Sequence, residues 1–382
     1  MLELALTGGR RYWGWIGVLC VVIGSGILCY GQQLEFGLGL TGLSRDVSWG
    51  FYVAQLTFLV GVAASAVMVV LPYYLHHYKV FARITIIGEF TAVAAVLMCL
   101  LFLFVDLGQP MRALNIFLYP TPRSVIFWDA NVLMGYLALN MVVGWNVLEA
   151  ERNDTPPPRW VRPLIYLSIP WAFAIHTVTA FLYCGLPGRG FWLTAILAPR
   201  FLASAFASGP SLLILICLVI RRLTRFDPSR EAIQALAKIV TYGLLANLFF
   251  LGCEVFVTFY SQLPEHMEHF RYLYIGLDGF GLLVGWMRLS IGMMIAAAVL
   301  LLIPASRRNE GALAVACLAV FCGTWIDKGL GLVSGGFIPS PLHHVTEYAP
   351  TAPELMISLG VFGIGALCLT LLLKMALGVR EE

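Results

Sequence analysis

Apolar residues in this chain fall into ten long runs, at 13–31, 50–75, 84–105, 126–147, 161–183, 201–220, 239–260, 277–303, 311–333 and 354–378. Crossing a bilayer core takes about 20 residues at a rise of about 1.5 Å each, which every run approaches or exceeds. The runs are continuously apolar rather than alternating, so they predict helices and not barrel strands. The first is too long for a cleaved signal peptide, and no small-residue cleavage site follows it. The predicted fold class is an all-α integral membrane protein, a bundle of about ten transmembrane helices.

Composition agrees. Of 382 residues, 60% are hydrophobic and 12% charged, against about 25% charged in soluble domains. Each ionic side chain at bilayer centre costs ~2.5–3.5 kcal/mol on insertion scales. That excludes a water-soluble domain, and a net charge of +3 is no nucleic-acid footprint. Sixteen Lys and Arg fall in the N-terminus, the even-numbered loops and the C-terminus, against six in the odd loops. The positive-inside bias puts both termini in the cytoplasm, for a multi-pass protein of the inner membrane. The cytoplasmic loop 148–160, with Pro156, Pro157 and Pro158, divides one polytopic domain (1–382) into two five-helix halves, about 1–147 and 161–382. The outer loops 32–49, 184–200 and 334–353 are long and rich in Gly, Pro and aromatics. Their low charge points to a covering partner, or to segments lying in the lipid interface.

Ionisable residues inside these segments are candidate functional groups, because insertion selects against them. Asp106 ends the third segment, Asp129 begins the fourth, His176 is late in the fifth and Glu254 late in the seventh. Asp278 opens the eighth, Asp327 and Lys328 lie near the outer end of the ninth, and Glu354 opens the tenth. All belong to the outer third, with His176 and Glu254 ~10 Å below the helix ends. That depth suits the polar head of a lipid-soluble ligand whose tail stays in hydrocarbon. Helical spacing puts Asn247, Glu254, Thr258 and Ser261 on one stripe, Asp129, Tyr136 and Asn140 on another, and His176 with Tyr183 on a third. Asn140 or Thr258 alone reads as an interhelical hydrogen bond. His176 and Glu254 together read as proton carriers. Glu89, in the cytoplasmic half of the third segment, and Arg288, near the middle of the eighth, either lock helices as a pair or begin a proton entry route.

Metal chemistry finds no support. The nine cysteines stand singly, with no C-x-x-C, whereas iron–sulfur ligation and covalent haem attachment need clusters. His176 is the one histidine within a segment; His76, His77, His266, His269, His343 and His344 fall in loops. Neither a haem nor an iron–sulfur cluster is expected in this chain, and no metal site. A secondary transporter also carries intramembrane charges, but breaks its helices at Gly or Pro near midplane. Here Pro72, Pro170 and Pro304 come closest to such breaks. A structural anchor for a redox complex is the third reading.

The run Asp106-Leu107-Gly108-Gln109-Pro110-Met111-Arg112 resembles the D-L-G-x-P-x-R motif of the NrfD-like, or polysulfide-reductase membrane-subunit, family. Gly88-Glu89 and His176-Thr177-Val178-Thr179-Ala180 stand in similar contexts. Glu254-Val255-Phe256, Phe259-Tyr260-Ser261, His266 and Tyr272-Leu273-Tyr274 look like the ten-helix branch of DsrP-type, HmcC-type and QrcD-type subunits, the DsrP type first. The resemblance spans nearly the whole chain, although Gln109 stands where many relatives carry a basic residue. It implies a menaquinone-binding subunit of a sulfate reducer's respiratory oxidoreductase, active only within its complex and coupled to proton movement. The implied partners are an outer-face iron–sulfur (ferredoxin-like) subunit, a multihaem cytochrome c, further membrane subunits and lipid. On that reading His176, Glu254, Asp106 and Asp129 are catalytic. His176, Tyr183, Thr179, Arg112 and Asp327 hold the quinone, with Arg112 orienting Asp106 or meeting the partner. Glu89, Asn140, Asn247, Glu254 and Arg288 form the proton path.

Overall fold

The computed structural model describes residues 2–381. Among them, ten helices are long and apolar enough to cross a membrane. They are α1 (Arg10–Leu40), α2 (Phe51–Leu75), α3 (Thr85–Asp106), α4 (Val125–Arg152), α5 (Val161–Cys184), α6 (Leu197–Leu223), α7 (Arg230–Tyr260), α8 (Val284–Leu302), α9 (Glu310–Phe337) and α10 (Ala352–Arg380). The chain is an all-α, multi-pass inner-membrane protein.

Which helix goes inside follows from its all-round hydrophobicity. The most apolar stretch of α2 is entirely buried, while that of α1 is 11% buried. Around α2 pack α3, α5, α6 and α9. The last helix, α10, packs on α1 and α3, so the end of the chain closes against its beginning. Close approach depends on absent side chains. A Cβ on Gly26 would lie 2.6 Å from the Cα of Gly360, and one on Gly209 would lie 2.9 Å from the backbone nitrogen of Ser65.

Several boundaries differ from the sequence expectation. α8 begins at Val284, not 277, because Gly276 and Gly279 adopt positive φ (109° and 86°) in a tight turn. Asp278 belongs to that turn and does not open the helix. Arg288 thereby moves from mid-helix to the first turns of α8. α6 begins at Leu197, since Pro199 is tolerated in a first turn. His266 and His269 are not in irregular loop but in a short helix, Pro264–Tyr274, started by Pro264. Pro210 joins Pro72 and Pro170 as a proline inside a helix, whereas Pro304 starts the short helix Pro304–Arg308.

Two of the inner helices are irregular. α2 is interrupted at Ala63. α9 widens into a π-helix over Trp325–Gly331, carrying Asp327 and Lys328. Side-chain donors reach backbone carbonyls on either side of this stretch, Ser290 to Gly323 at 2.7 Å and Trp192 to Leu332 at 2.9 Å. Trp325 itself donates to Gln55 of α2 at 2.7 Å. The loops linking α1 to α2, α3 to α4, α5 to α6 and α9 to α10 form one end, hereafter the long-loop end. There Glu354 is a tie-point: its carboxylate accepts from Gly42 N (2.8 Å), Thr351 N (2.9 Å) and Tyr348 OH (2.7 Å).

Candidate functional site

The first turn of α6, the C-terminal part of α7 and the π-helix of α9 meet at one guanidinium. Arg200 pairs through Nη1 with Glu254, and its Nη2 lies 2.7 and 2.8 Å from the two oxygens of Asp327. All three residues are less than a tenth exposed. Beside them Lys328, also buried, has no hydrogen-bond partner for Nζ among the described residues, and Nζ sits 4.1 Å above the Phe201 ring. The ammonium fits because Gly61 has no side chain: a Cβ there would lie 3.2 Å from Nζ. Two cations thus stand against two carboxylates, a formal balance that makes burial of four charges tolerable. Asp327 and Lys328 are consecutive residues of the π-helix and both are buried.

This cluster borders two cavities. One of about 10 Å³, lined by Ser204, Asn247, Asp327 and Lys328 with Arg200, has room for about one water. The other, about 170 Å³, is lined by Phe191, Arg200, Glu254, Thr258, His266 and Phe270 among others. Leu193, Val257 and Leu263 also line it and are partly exposed, so apolar side chains reach the surface between the end of α7 and the 191–197 segment. An aromatic chamber with a salt bridge in its wall and apolar side chains at its edge is suited to a flat polar head with an apolar tail.

A second cluster lies on α4 and α5. Thr179 donates to Asp129 at 2.6 Å, and Tyr183 OH meets Thr57 of α2. Tyr183 also packs against Trp192, Trp49 and Phe201, with ring centroids 5.0, 5.6 and 6.0 Å away. Phe201 therefore touches both Tyr183 and Lys328 and joins the two clusters. His176 is fully buried, and neither ring nitrogen has a partner among the described residues. It does not line the 170 Å³ cavity, where His266 stands instead.

The remaining candidates are dispersed. Asp106 is half-buried with Oδ1 unpartnered, and Arg112, expected to orient it, is exposed and makes no bond to it. The reason is local: Pro110–Arg112 forms a 3-10 turn beyond the end of α3. Glu89 is buried with both oxygens unpartnered. Asn140 donates to the Tyr136 carbonyl of its own helix at 2.8 Å. Asn247 contacts the Met294 sulfur at 3.6 Å and leaves its oxygen unpaired. Arg288 is exposed and donates to the Tyr274 carbonyl at 3.0 Å, so it forms no pair with Glu89.

Arg200 is the group that hydrophobic patterning misses, because the apolar run begins one residue after it. A signal is present nonetheless: Pro199 just before an apolar period marks a helix start. Among the described residues no group of three or more His, Cys, Asp or Glu side chains is placed to hold a metal ion, and the nine cysteines are free.

Comparison with known proteins gives a consistent picture. The family described as "Polysulphide reductase, NrfD" matches residues 39–338, which include both clusters. The chain is 26% identical to a membrane protein of a "putative dimethyl sulfoxide reductase" from Halobacterium salinarum, over 93% of this chain and 88% of the relative. It is 25% identical to an "Hdr-like menaquinol oxidoreductase integral membrane subunit" from Archaeoglobus fulgidus, over 64% and 60%. It is 21% identical to a "menaquinone reductase, integral membrane subunit" from Nitratidesulfovibrio vulgaris, over 94% and 90%.

Proposed function

The chain belongs to the NrfD family of polysulphide reductases, and from that premise we propose that it is the quinone-exchanging membrane subunit of a respiratory oxidoreductase complex. The observation that carries this reading is Arg200, tied to Glu254 and Asp327 in the wall of an aromatic cavity edged by partly exposed apolar residues. A quinone head entering from lipid finds aromatic rings to lie against, a guanidinium for its oxygen, and a carboxylate for its proton. Menaquinone is the favoured species, since two relatives are named for it.

In the oxidising direction a quinol loses two protons and two electrons. Glu254 takes a proton at its carboxylate when the head group competes for Arg200, and His266 at the cavity rim is placed to pass a proton outward. Asp129 and His176, on α4 and α5, are a second set of proton-holding groups; Asn247 lines the small cavity beside Arg200, and Asp106, Glu89 and Asn140, which lie apart, are the further members of the proposed route. The electrons pass to an iron–sulfur (ferredoxin-like) subunit on the long-loop end, with a multihaem cytochrome c beyond. Exposed Met111, Leu114, Leu118 and Tyr119 on the 107–124 loop supply apolar surface for that partner. The excess of Lys and Arg on the other end makes the long-loop end the outer one, with both termini cytoplasmic. Within the family, Glu254-Val255-Phe256, Phe259-Tyr260-Ser261, His266 and Tyr272-Leu273-Tyr274 support the ten-helix branch, the DsrP type first.

A secondary transporter is the second reading, favoured by the interruptions at Ala63 and over Trp325–Gly331. Purification of the intact complex followed by solvent extraction separates the readings. Quinone near one per complex together with an iron-containing partner supports the proposal. An iron-containing partner without quinone leaves a structural anchor, and solute uptake without either leaves a transporter.

A further inference from the structure

Two cavities larger than the one beside this cluster lie away from it, at the basic end of the bundle. One of about 530 Å³ is lined by Ala82, Arg83, Glu151, Arg225, Asp227 and Arg380, with Phe226. It adjoins a chamber of about 690 Å³ that shares Ala82 and Glu151 and continues past Tyr74, Ile86, Val147, Ile165 and Tyr166. The first chamber is thus polar, with three arginines against Glu151 and Asp227, and the second combines apolar and tyrosine surface from α2 to α5 with Lys79 and Arg162.

The arginines are not equivalent. Arg380 is held by Glu151 through two hydrogen bonds of 3.0 and 2.9 Å and lies 5.4 Å from the Phe226 ring centroid. That fork is fixed in place. Arg83 reaches only a backbone carbonyl, Asp227 O at 3.3 Å. Among the described residues Arg225 makes no bond, and neither arginine has a carboxylate partner within ion-pair distance. Two guanidiniums therefore line the chamber without an ion-pair partner of their own. Asp227 is exposed, with its carboxylate accepting from Ser229 N at 3.2 Å. Nothing in the quinone reading uses these groups.

We infer that this cleft binds an anionic phospholipid, its phosphate between Arg83 and Arg225 and its acyl portion along Ile86, Val147, Ile165 and Tyr166. Arginine forks match phosphate oxygens in pairs. Basic pockets between helices at the membrane border attract acidic headgroups for the same reason. A soluble phosphate would need the arginines alone; the aliphatic and tyrosine wall of the adjoining chamber, shared with His77, Lys79 and Arg162, favours a lipid. The bound lipid would link the α2–α3 turn, the α6–α7 turn and the C-terminal end of α10, which contribute Arg83, Arg225 and Arg380.

The test uses the full-length chain in neutral detergent, with adducts counted by native mass spectrometry. Phosphatidylglycerol is expected to be retained in preference to phosphatidylethanolamine, and excess inorganic phosphate should not displace it. Arg83→Gln with Arg225→Gln should weaken retention by about thirtyfold, the loss of two cation–headgroup contacts. Arg45→Gln, an exposed arginine at the long-loop end, should leave it unchanged. If the double variant unfolds, Arg225→Gln alone must still lower retention, since that substitution breaks no bond within the described residues. Equal retention of the two lipids, displacement by inorganic phosphate, or retention unaffected by Arg225→Gln would each overturn the inference.

Discussion

Arg200 donates from a single nitrogen, Nη2, to both oxygens of Asp327, at 2.7 and 2.8 Å, leaving Nη1 for Glu254. One cation therefore satisfies carboxylates from two other helices, and removing it strands both. Losing one member of a buried ion pair costs about 3–5 kcal/mol. Arg200→Leu is expected to lower the thermal midpoint or the yield of the assembled complex by an amount of that order. Glu254→Gln is a different case, because the amide oxygen can still accept from Arg200. Assembly should survive while quinol-linked turnover falls by about 10²–10⁴, the usual weight of a general acid–base group. Turnover near that of the native chain would remove Glu254 from the proton chemistry.

His176→Leu should abolish quinol-dependent electron transfer in a complex that still assembles. Assembly is safe on physical grounds: both ring nitrogens are buried without partners, so an apolar residue of similar size relieves an unsatisfied polar group. Unchanged turnover with unchanged quinone affinity would reduce His176 to a packing residue.

Glu89→Gln tests the route from the basic end. Both carboxylate oxygens are buried and unpartnered, so the variant should fold at least as well as the native chain. If protons use Glu89, charge movement in proteoliposomes disappears while quinone binding persists. Full charge translocation by the variant would eliminate the route.

On the long-loop end, His343 Nδ1 lies 2.9 Å from Glu268, which ties the 338–351 segment to the Pro264–Tyr274 helix. Hydrogen bonding to that carboxylate raises the His343 pKa above its ordinary value of 6.5. A raised folded-state pKa means that the pair adds stability in full below about pH 6.5 and loses it as pH rises through the higher folded value. Nuclear magnetic resonance of the imidazole should give a midpoint above 6.5, and Glu268→Gln should return it to the ordinary range. An unshifted midpoint in the native chain would mean that the contact is broken in solution.

Ten helices, their approximate limits and the membrane class were legible in the residues themselves, because hydrocarbon imposes one rule on every span and the rule is local in sequence. The irregularities were not. Nothing in Trp325–Gly331 by itself announces a π turn; it is sustained by neighbours such as Trp192, Ser290 and Gln55, which come from α2, α8 and a distant loop. Helical spacing put His176 with Tyr183, and Asp129 with Asn140, each on one stripe of its own helix, and residues on one stripe can be read from a period. Which stripe meets which cannot. Thr179 reaches Asp129 and Arg200 reaches Asp327 across helix crossings, and Lys328 settles over Phe201 where Gly61 leaves it room and Gly209 lets α2 and α6 approach. Arg112 shows the converse: next to Asp106 in a motif, it points away because a turn at Pro110 redirects the chain. Sequence decided which residues enter the membrane, since that cost is paid residue by residue. Tertiary structure decided their partners, since pairing buried charges depends on where other helices pass.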